Sequence, residues 1–285
     1  MKKLLLLLLS TCCLAQNPTP PSQAAGYTYI WGDNFSTGDV PCTTTNSLCN
    51  WYNPGVYNLA VGGAITNPSD TYLNLEWSSG ITGGNWANIS TVAQNGSNIG
   101  RAFGYGYYEV SMLFNPTTGS WPAIWFKPAS YIGPALNTGA ELDMFEWQSN
   151  TPTIFYGTTH NWVNGVDEAS NGFTNANQFT PSGSPNFATY HTYGLLWTPT
   201  AVSWYFDNAL LGTQSTTGAW YSTFYQSPQT FYLIISQQNG CNWTTTCSGQ
   251  VSPLNMQVQW VHVFAPPTSP GSAPKGFKSP GAQIQ

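Results

Sequence analysis

Residues 105–126 read YGYYEVSMLF–NPTTGS–WPAIWF. The two flanks are aromatic and apolar, and the joining segment holds Pro116 and Gly119, so 105–114 and 121–126 are predicted strands separated by a turn. The same texture recurs along the chain. Residues 27–35 open the globular part, and 72–77, 141–147 and 231–236 are further strand candidates. Segments 192–197 and 201–206 flank Thr198-Pro199-Thr200 and read as a hairpin, and 256–264 alternates and closes the domain. No internal repeat and no long stretch of helical period interrupts the series. Short strands at this spacing predict an all-β fold, a jelly-roll sandwich of two antiparallel sheets.

Composition agrees. Only 6% of the 285 residues are charged and 15% are aromatic, a poor mixture for helices and a good one for strands and turns. Lys2 and Lys3 precede an apolar run, Leu4 to Leu9, and small residues follow up to Ala15. That is the pattern of a secretory signal, and the run is too short to span a bilayer. Residues 1–15 are expected to be removed, leaving 24–265 as one large β domain with a sizeable core and 266–285 as a Pro/Gly/Ser-rich tail. Beyond the signal, only Arg101, Lys127, Lys275 and Lys278 are basic, against eleven acidic residues. A nucleic-acid partner is excluded on charge, and strongly anionic polymers are poor candidates. No other segment suits a membrane, and a secreted monomer is expected. Cys42, Cys49, Cys241 and Cys247 allow three disulfide pairings. The two local pairs would each close a small loop, and a zinc site is disfavoured by the spacing.

The acids are concentrated. Glu141-Leu142-Asp143-Met144-Phe145-Glu146 holds three of the eleven. On a strand Glu141 and Asp143 share a face, while Glu146 has the opposite parity. One bulge residue restores it, and bulges are common beside active sites. Glu141 and Glu146 would then lie about four steps apart, roughly 13 Å along the strand, with side chains able to lean together. Retaining glycosidases need carboxyls about 5–5.5 Å apart. Mutual repulsion would raise at least one pKa and make that group a proton donor. Catalysis and calcium binding both fit such a patch.

With its neighbours this segment resembles glycoside hydrolase family 16 in the bulged E-x-D-x-x-E form of laminarinases and agarases. Tyr29 to Phe35 is similar to that family's opening strand. Gly104 to Val110 with Trp121-Pro-Ala-Ile-Trp125, the Gly157-Thr-Thr-His160 block, and Tyr190 to Pro199 with Trp204-Tyr-Phe-Asp207 follow in the family's order. The resemblance implies a concanavalin-like jelly roll with a concave cleft and a retaining, endo-acting hydrolase of β-glucans or galactans. It implies Glu141 as nucleophile, Glu146 as general acid/base and Asp143 as the residue that tunes the nucleophile. It also implies substrate binding by Trp121, Trp125 and His160. No cofactor is expected, a structural calcium ion apart. Gln259, His262 and Ser236 depart from the family's usual residues, as does the lack of a basic residue after Gly106. These departures bear on the substrate.

Trp121 and Trp125, four apart on one strand, share a face and suit the apolar faces of sugar rings. Trp162 and Trp243 are further candidates, whereas His191 and His262 read as structural. The polar run 164–190 is expected to be a loop at the cleft rim. A neutral β-1,3- or mixed-linked glucan is the expected substrate and an agar-type galactan the alternative. A transglycosylase or a lectin-like binder on the same fold are the rival functions.

Overall fold

The computed structural model describes residues 17–36, 41–43, 49–53, 63–68, 71–79, 86–93, 100–128, 139–167, 175–218, 230–243 and 247–267. The expected signal segment 1–15 and residues 268–285 of the tail lie outside them. After a single 3-10 turn, Ser22–Ala24, the described chain is built of strands. In order they are β1 (Thr28–Asp33), β2 (Gly63–Thr66), β3 (Leu73–Trp77), β4 (Trp86–Ser90), β5 (Gly106–Phe114), β6 (Ser120–Pro128), β7 (Gly139–Trp147) and β8 (Phe155–Val163). They continue with β9 (Val166–Asp167), β10 (Asn175–Phe179), β11 (His191–Trp197), β12 (Ala201–Phe206), β13 (Ala209–Ser215), β14 (Phe231–Asn239) and β15 (Leu254–Ala265).

The strands form two antiparallel sheets, as the sequence predicts for a jelly-roll sandwich. One runs β13-β12-β11-β5-β15-β3-β2 with β1 also on β15, and the other runs β10-β8-β7-β6-β14-β4 with β9 on β8. Alternation along each strand sends one set of side chains between the sheets. Tyr108, Val110, Met112 and Phe114 of β5 meet Leu142, Met144, Phe145 and Trp147 of β7, Leu233 and Ile235 of β14, and Val261 and Val263 of β15 in one continuous core. Large apolar side chains dominate this layer, so its burial is the main favourable term in folding.

Both local cysteine pairs form disulfides, Cys42–Cys49 and Cys241–Cys247. Of the fifteen described strands, β2, β4, β8, β9, β10 and β13 are additional to those expected from sequence. The stretch 164–190 is not the uninterrupted loop expected. It contributes β9 and β10, which flank β8 at the edge of the second sheet. Phe179 of β10 is buried and Gln178 beside it is exposed, so this strand has one wet face and little apolar signal. Residues 168–174 lie outside the described set.

Candidate active site

The acid segment lies on β7, a central strand of the second sheet. Its partner registers show how three acids come to share a face. Glu141, Asp143 and Glu146 stand opposite His160, Thr158 and Tyr156 of β8, which step by two, although the β7 spacing is two and then three. On the other side Asp143 pairs with Trp125 and Phe145 with Ile124, so β7 carries one more residue than β6 over the same span. The surplus is a bulge at Met144. Met144 and Phe145, adjacent in sequence, are both in the core, and Glu146 is turned to the outer face with the other two acids. This is the bulge that parity demands.

The bulge is held from inside. The indole N–H of Trp204, on β12 of the facing sheet, donates to the backbone carbonyl of Asp143 at 2.9 Å. Trp204 fits there because residue 157 is glycine. A Cβ at Gly157 would stand 2.4 Å from Trp204 Nε1. The Gly-Thr-Thr-His block thus does two jobs on β8: Gly157 admits the core tryptophan, and His160, three residues on, faces outward.

On the outer face, Glu141 Oε2 lies 3.2 Å from the ammonium of Lys127, and Glu141 Oε1 lies 3.8 Å from Nε2 of His160. The same Nε2 is 2.8 Å from Asp143 Oδ2, and Nδ1 is 2.8 Å from Asp167 Oδ2 on β9. Trp121 donates its indole N–H to Glu146 Oε1 at 3.1 Å. Burial raises the Asp143 carboxyl to about 6, with the charge of Glu141 adding to the effect and His160 and Lys127 opposing it. Burial, followed by the charges of Asp143 and Glu141, raises Glu146 well above the ordinary carboxylate range. Burial opposes charge on His160, but Asp143, Asp167 and Glu141 together outweigh it and hold the imidazolium well above its usual range. The face therefore offers a carboxylate with an ammonium beside it, Glu141, and a proton-holding carboxyl, Glu146. Carboxyls whose environments differ in this way are the kind that can take different parts in acid–base chemistry.

The catalytic and sugar-binding candidates named from the sequence gather at this face. Glu141, Asp143 and Glu146 form the centre. His160 stacks on Trp162 at 5.5 Å, and Trp121 meets Trp243 edge-on at 5.6 Å. Trp243, 47% exposed, also contacts Tyr156 and has a left-handed φ of 61° beside Cys241–Cys247. Trp125 sits deeper than expected of a sugar platform. It is 6% exposed, donates to Ser236 Oγ at 3.2 Å and packs with Tyr232 and Ile234. Two site residues escape a reading of motifs, Lys127 and Asp167. Lys127 carries a usable signal: it follows Trp121 and Trp125 at even spacing on β6 and so shares their face. Asp167 lies in a polar segment without periodicity.

Glu141, Asp143 and His160 bring ligand-type atoms within 4.8 Å of one another. Calcium favours six or more oxygen ligands, and an imidazole plus a neighbouring ammonium is a poor donor set for it.

A sequence model of the glycosyl hydrolases family 16 matches residues 64–262. The keratan-sulfate endo-1,4-β-galactosidase of Sphingobacterium multivorum is 32% identical over 165 residues, 57% of this chain and 37% of that protein. An endo-1,3-1,4-β-glycanase of Rhizobium meliloti is 28% identical over 161 residues, 56% of this chain and 30% of that protein. The matches thus span about a third of these curated relatives. Among solved structures, the laminarinase catalytic domain of Thermotoga maritima superposes with a TM-score of 0.62 at 19% identity, covering 84% of this chain and 98% of that one. The likeness in fold extends to an endo-β-galactosidase of Clostridium perfringens, with a TM-score of 0.62 at 16% identity, covering 88% and 66% of the two chains.

Proposed function

The chain belongs to glycosyl hydrolases family 16, and on that basis we propose that it is a secreted endo-glycosidase cleaving internal β-linkages of a polysaccharide with retention of configuration. The observation that carries this reading is the Met144 bulge, which sets Glu141 and Glu146 on one face with Asp143 between them. In the first step the Glu141 carboxylate attacks the anomeric carbon while Glu146 protonates the departing glycosidic oxygen. In the second, Glu146 takes a proton from water, water attacks the same carbon, and Glu141 leaves as carboxylate. Asp143, tied to His160 and through it to Asp167, fixes the orientation of the centre. Trp121, Trp162 and Trp243 offer indole faces and edges for sugar rings. No step in this scheme calls for a cofactor. Two disulfides agree with an oxidising compartment and hence with export.

The preferred substrate is a neutral β-1,3- or mixed-linked glucan. Gripping sulfate esters takes free cations, and the two basic residues of the described domain are engaged otherwise: Lys127 is buried on Glu141 and Arg101 bonds Asn50. An agar-type galactan is the second reading: the relative from Sphingobacterium is a galactosidase, although the galactan in its name, keratan sulfate, is a sulfated one. Release of reducing ends from laminarin, mixed-linked glucan or agarose by the purified protein, and its loss in Glu141→Ala, tests the proposal. Binding to the polymer without bond cleavage would replace it with the lectin-like alternative.

A further inference from the structure

Lys127 is a cation with no exposed side-chain surface, set against a carboxylate that must change its charge twice per turnover. An ammonium out of water costs several kcal/mol unless it is paired. Here Glu141 Oε2 lies 3.2 Å from it, and the ring of Trp162 lies 5.9 Å from its nitrogen. We propose that Lys127 is a positioning residue that acts through Glu141, and that its main effect falls on the second half of the reaction, in which the glycosyl-enzyme is broken. The inference rests on Glu141 being the nucleophile.

The argument follows the charge. In the free enzyme Glu141 is an anion and the pair is satisfied. When Glu141 bonds to the anomeric carbon its negative charge is lost, and Lys127, which also acts on Asp143, loses the counter-charge 3.2 Å away in a place it cannot leave for water. The glycosyl-enzyme is thereby raised in energy relative to the free enzyme. Water then attacks the anomeric carbon and Glu146 accepts its proton. The bond between that carbon and the Glu141 oxygen breaks with its electron pair returning to the carboxylate. Lys127 stands 3.2 Å from one of the two oxygens over which that charge spreads, so it stabilises the departing carboxylate in the transition state. The same contact steadies Glu141 before the first step and makes it a less eager nucleophile. Lys127 thus speeds release from the intermediate at some expense to its formation. His160, whose Nε2 is 3.8 Å from the other Glu141 oxygen, is shared with Asp143 and Asp167 and is less free to follow that charge.

A test separates the two half-reactions. The probe is a dinitrophenyl glycoside fluorinated beside the anomeric carbon, built on the disaccharide repeat of the polysaccharide that the wild-type enzyme cleaves. It forms the intermediate quickly and releases it slowly. Lys127→Met and Lys127→Gln, compared with wild type after checking for an unchanged thermal transition, should form the labelled enzyme as fast or faster. They should reactivate in buffer about tenfold more slowly or worse. On a rapidly cleaved aryl glycoside both variants should show a burst that the wild type lacks. A purely structural role would slow both steps together, and that result, or unchanged reactivation, overturns the proposal. Peptide mass analysis distinguishes its failure from failure of the nucleophile assignment. Label on another residue, or none while polysaccharide is still cleaved, overturns the assignment and the proposal with it.

Discussion

The indole N–H of Trp121 donates to Glu146 Oε1 at 3.1 Å. This bond favours the ionised carboxylate, against burial and the charges of Asp143 and Glu141, which favour the acid. Trp121→Phe keeps the ring and removes the donor, so the Glu146 pKa should rise further. The alkaline limb of kcat/KM should then move to higher pH, because the acid form survives longer. A pH–rate profile checks this. A limb that stays in place or moves down would mean that Glu146 is not the group being titrated.

Glu141→Ala and Glu146→Ala should each lower kcat on polysaccharide by about 10²–10⁴-fold or more, with the fold intact by circular dichroism. Azide tells the two apart. With Glu146→Ala and an activated aryl substrate it should attack the glycosyl-enzyme and give a β-glycosyl azide. With Glu141→Ala it should enter from the vacated side and give the α-azide. In the wild type, proton NMR of the first product should show the β-anomer, and initial α-anomer would refute double displacement.

Gly157→Ala should damage the acid strand from the core side. The added Cβ would lie 2.4 Å from Trp204 Nε1, and Trp204 holds the carbonyl of Asp143. Overpacking of this kind costs about 1–3 kcal/mol, and activity should fall more than stability because Glu146 depends on the bulge for its direction. Trp204→Phe should relieve the clash in the double variant without restoring full activity, since the donor to Asp143 is then missing. Kinetics and thermal melts of the three variants check the order.

Strand parity makes much of this site legible in the sequence. Glu146 can join Glu141 and Asp143 on one face only if one residue is extra, and Met144 with Phe145 in the core is how the chain supplies it. Strand β8 is hard to see because its outer side chains are Tyr156, Thr158, His160 and Trp162, chosen for the site and not for alternation. Lys127 is hidden by a different rule. A lysine in an otherwise apolar strand normally reaches solvent, and a counter-charge on another strand, Glu141 of β7, helps to make its burial tolerable. Trp125 shows the limit of the same reasoning: parity gives its face but not its depth.

Asp143→Asn tests the electrostatics through stability. The native carboxyl titrates at about 6, above its ordinary 3.8, so between these values the folded protein holds a proton that the unfolded chain has released. Stability from this group is present at low pH and lost as pH rises through that window. His160, raised chiefly by Asp143 against burial, adds a loss of the same sign at higher pH. The wild-type melting temperature should thus fall relative to that of Asp143→Asn as pH increases from about 4 to about 6. Parallel curves would show that Asp143 is not perturbed as its burial requires.

The substrate is decided by how the outer face meets sugar, and its charges are already committed. Lys127 is buried against Glu141, His160 is held between Asp143 and Asp167, and the exposed indole of Trp243 meets Trp121, the donor to Glu146. Indoles bind the C–H faces of neutral rings, and a sulfate ester would need a cation that this cluster does not spare. Laminarin, mixed-linked β-glucan, agarose, porphyran and carrageenan, scored by reducing sugars, should rank with the neutral polymers above the sulfated ones, and laminarin or mixed-linked glucan first. Trp243→Ala should raise KM on the preferred polymer with a smaller change in kcat, since its ring packs on Trp121 and Tyr156 and not on the carboxylates themselves. Activity confined to agarose would make the galactan reading correct. Activity confined to a sulfated polymer would mean that cations other than Lys127 line the cleft, and would overturn the charge argument on which the ranking stands.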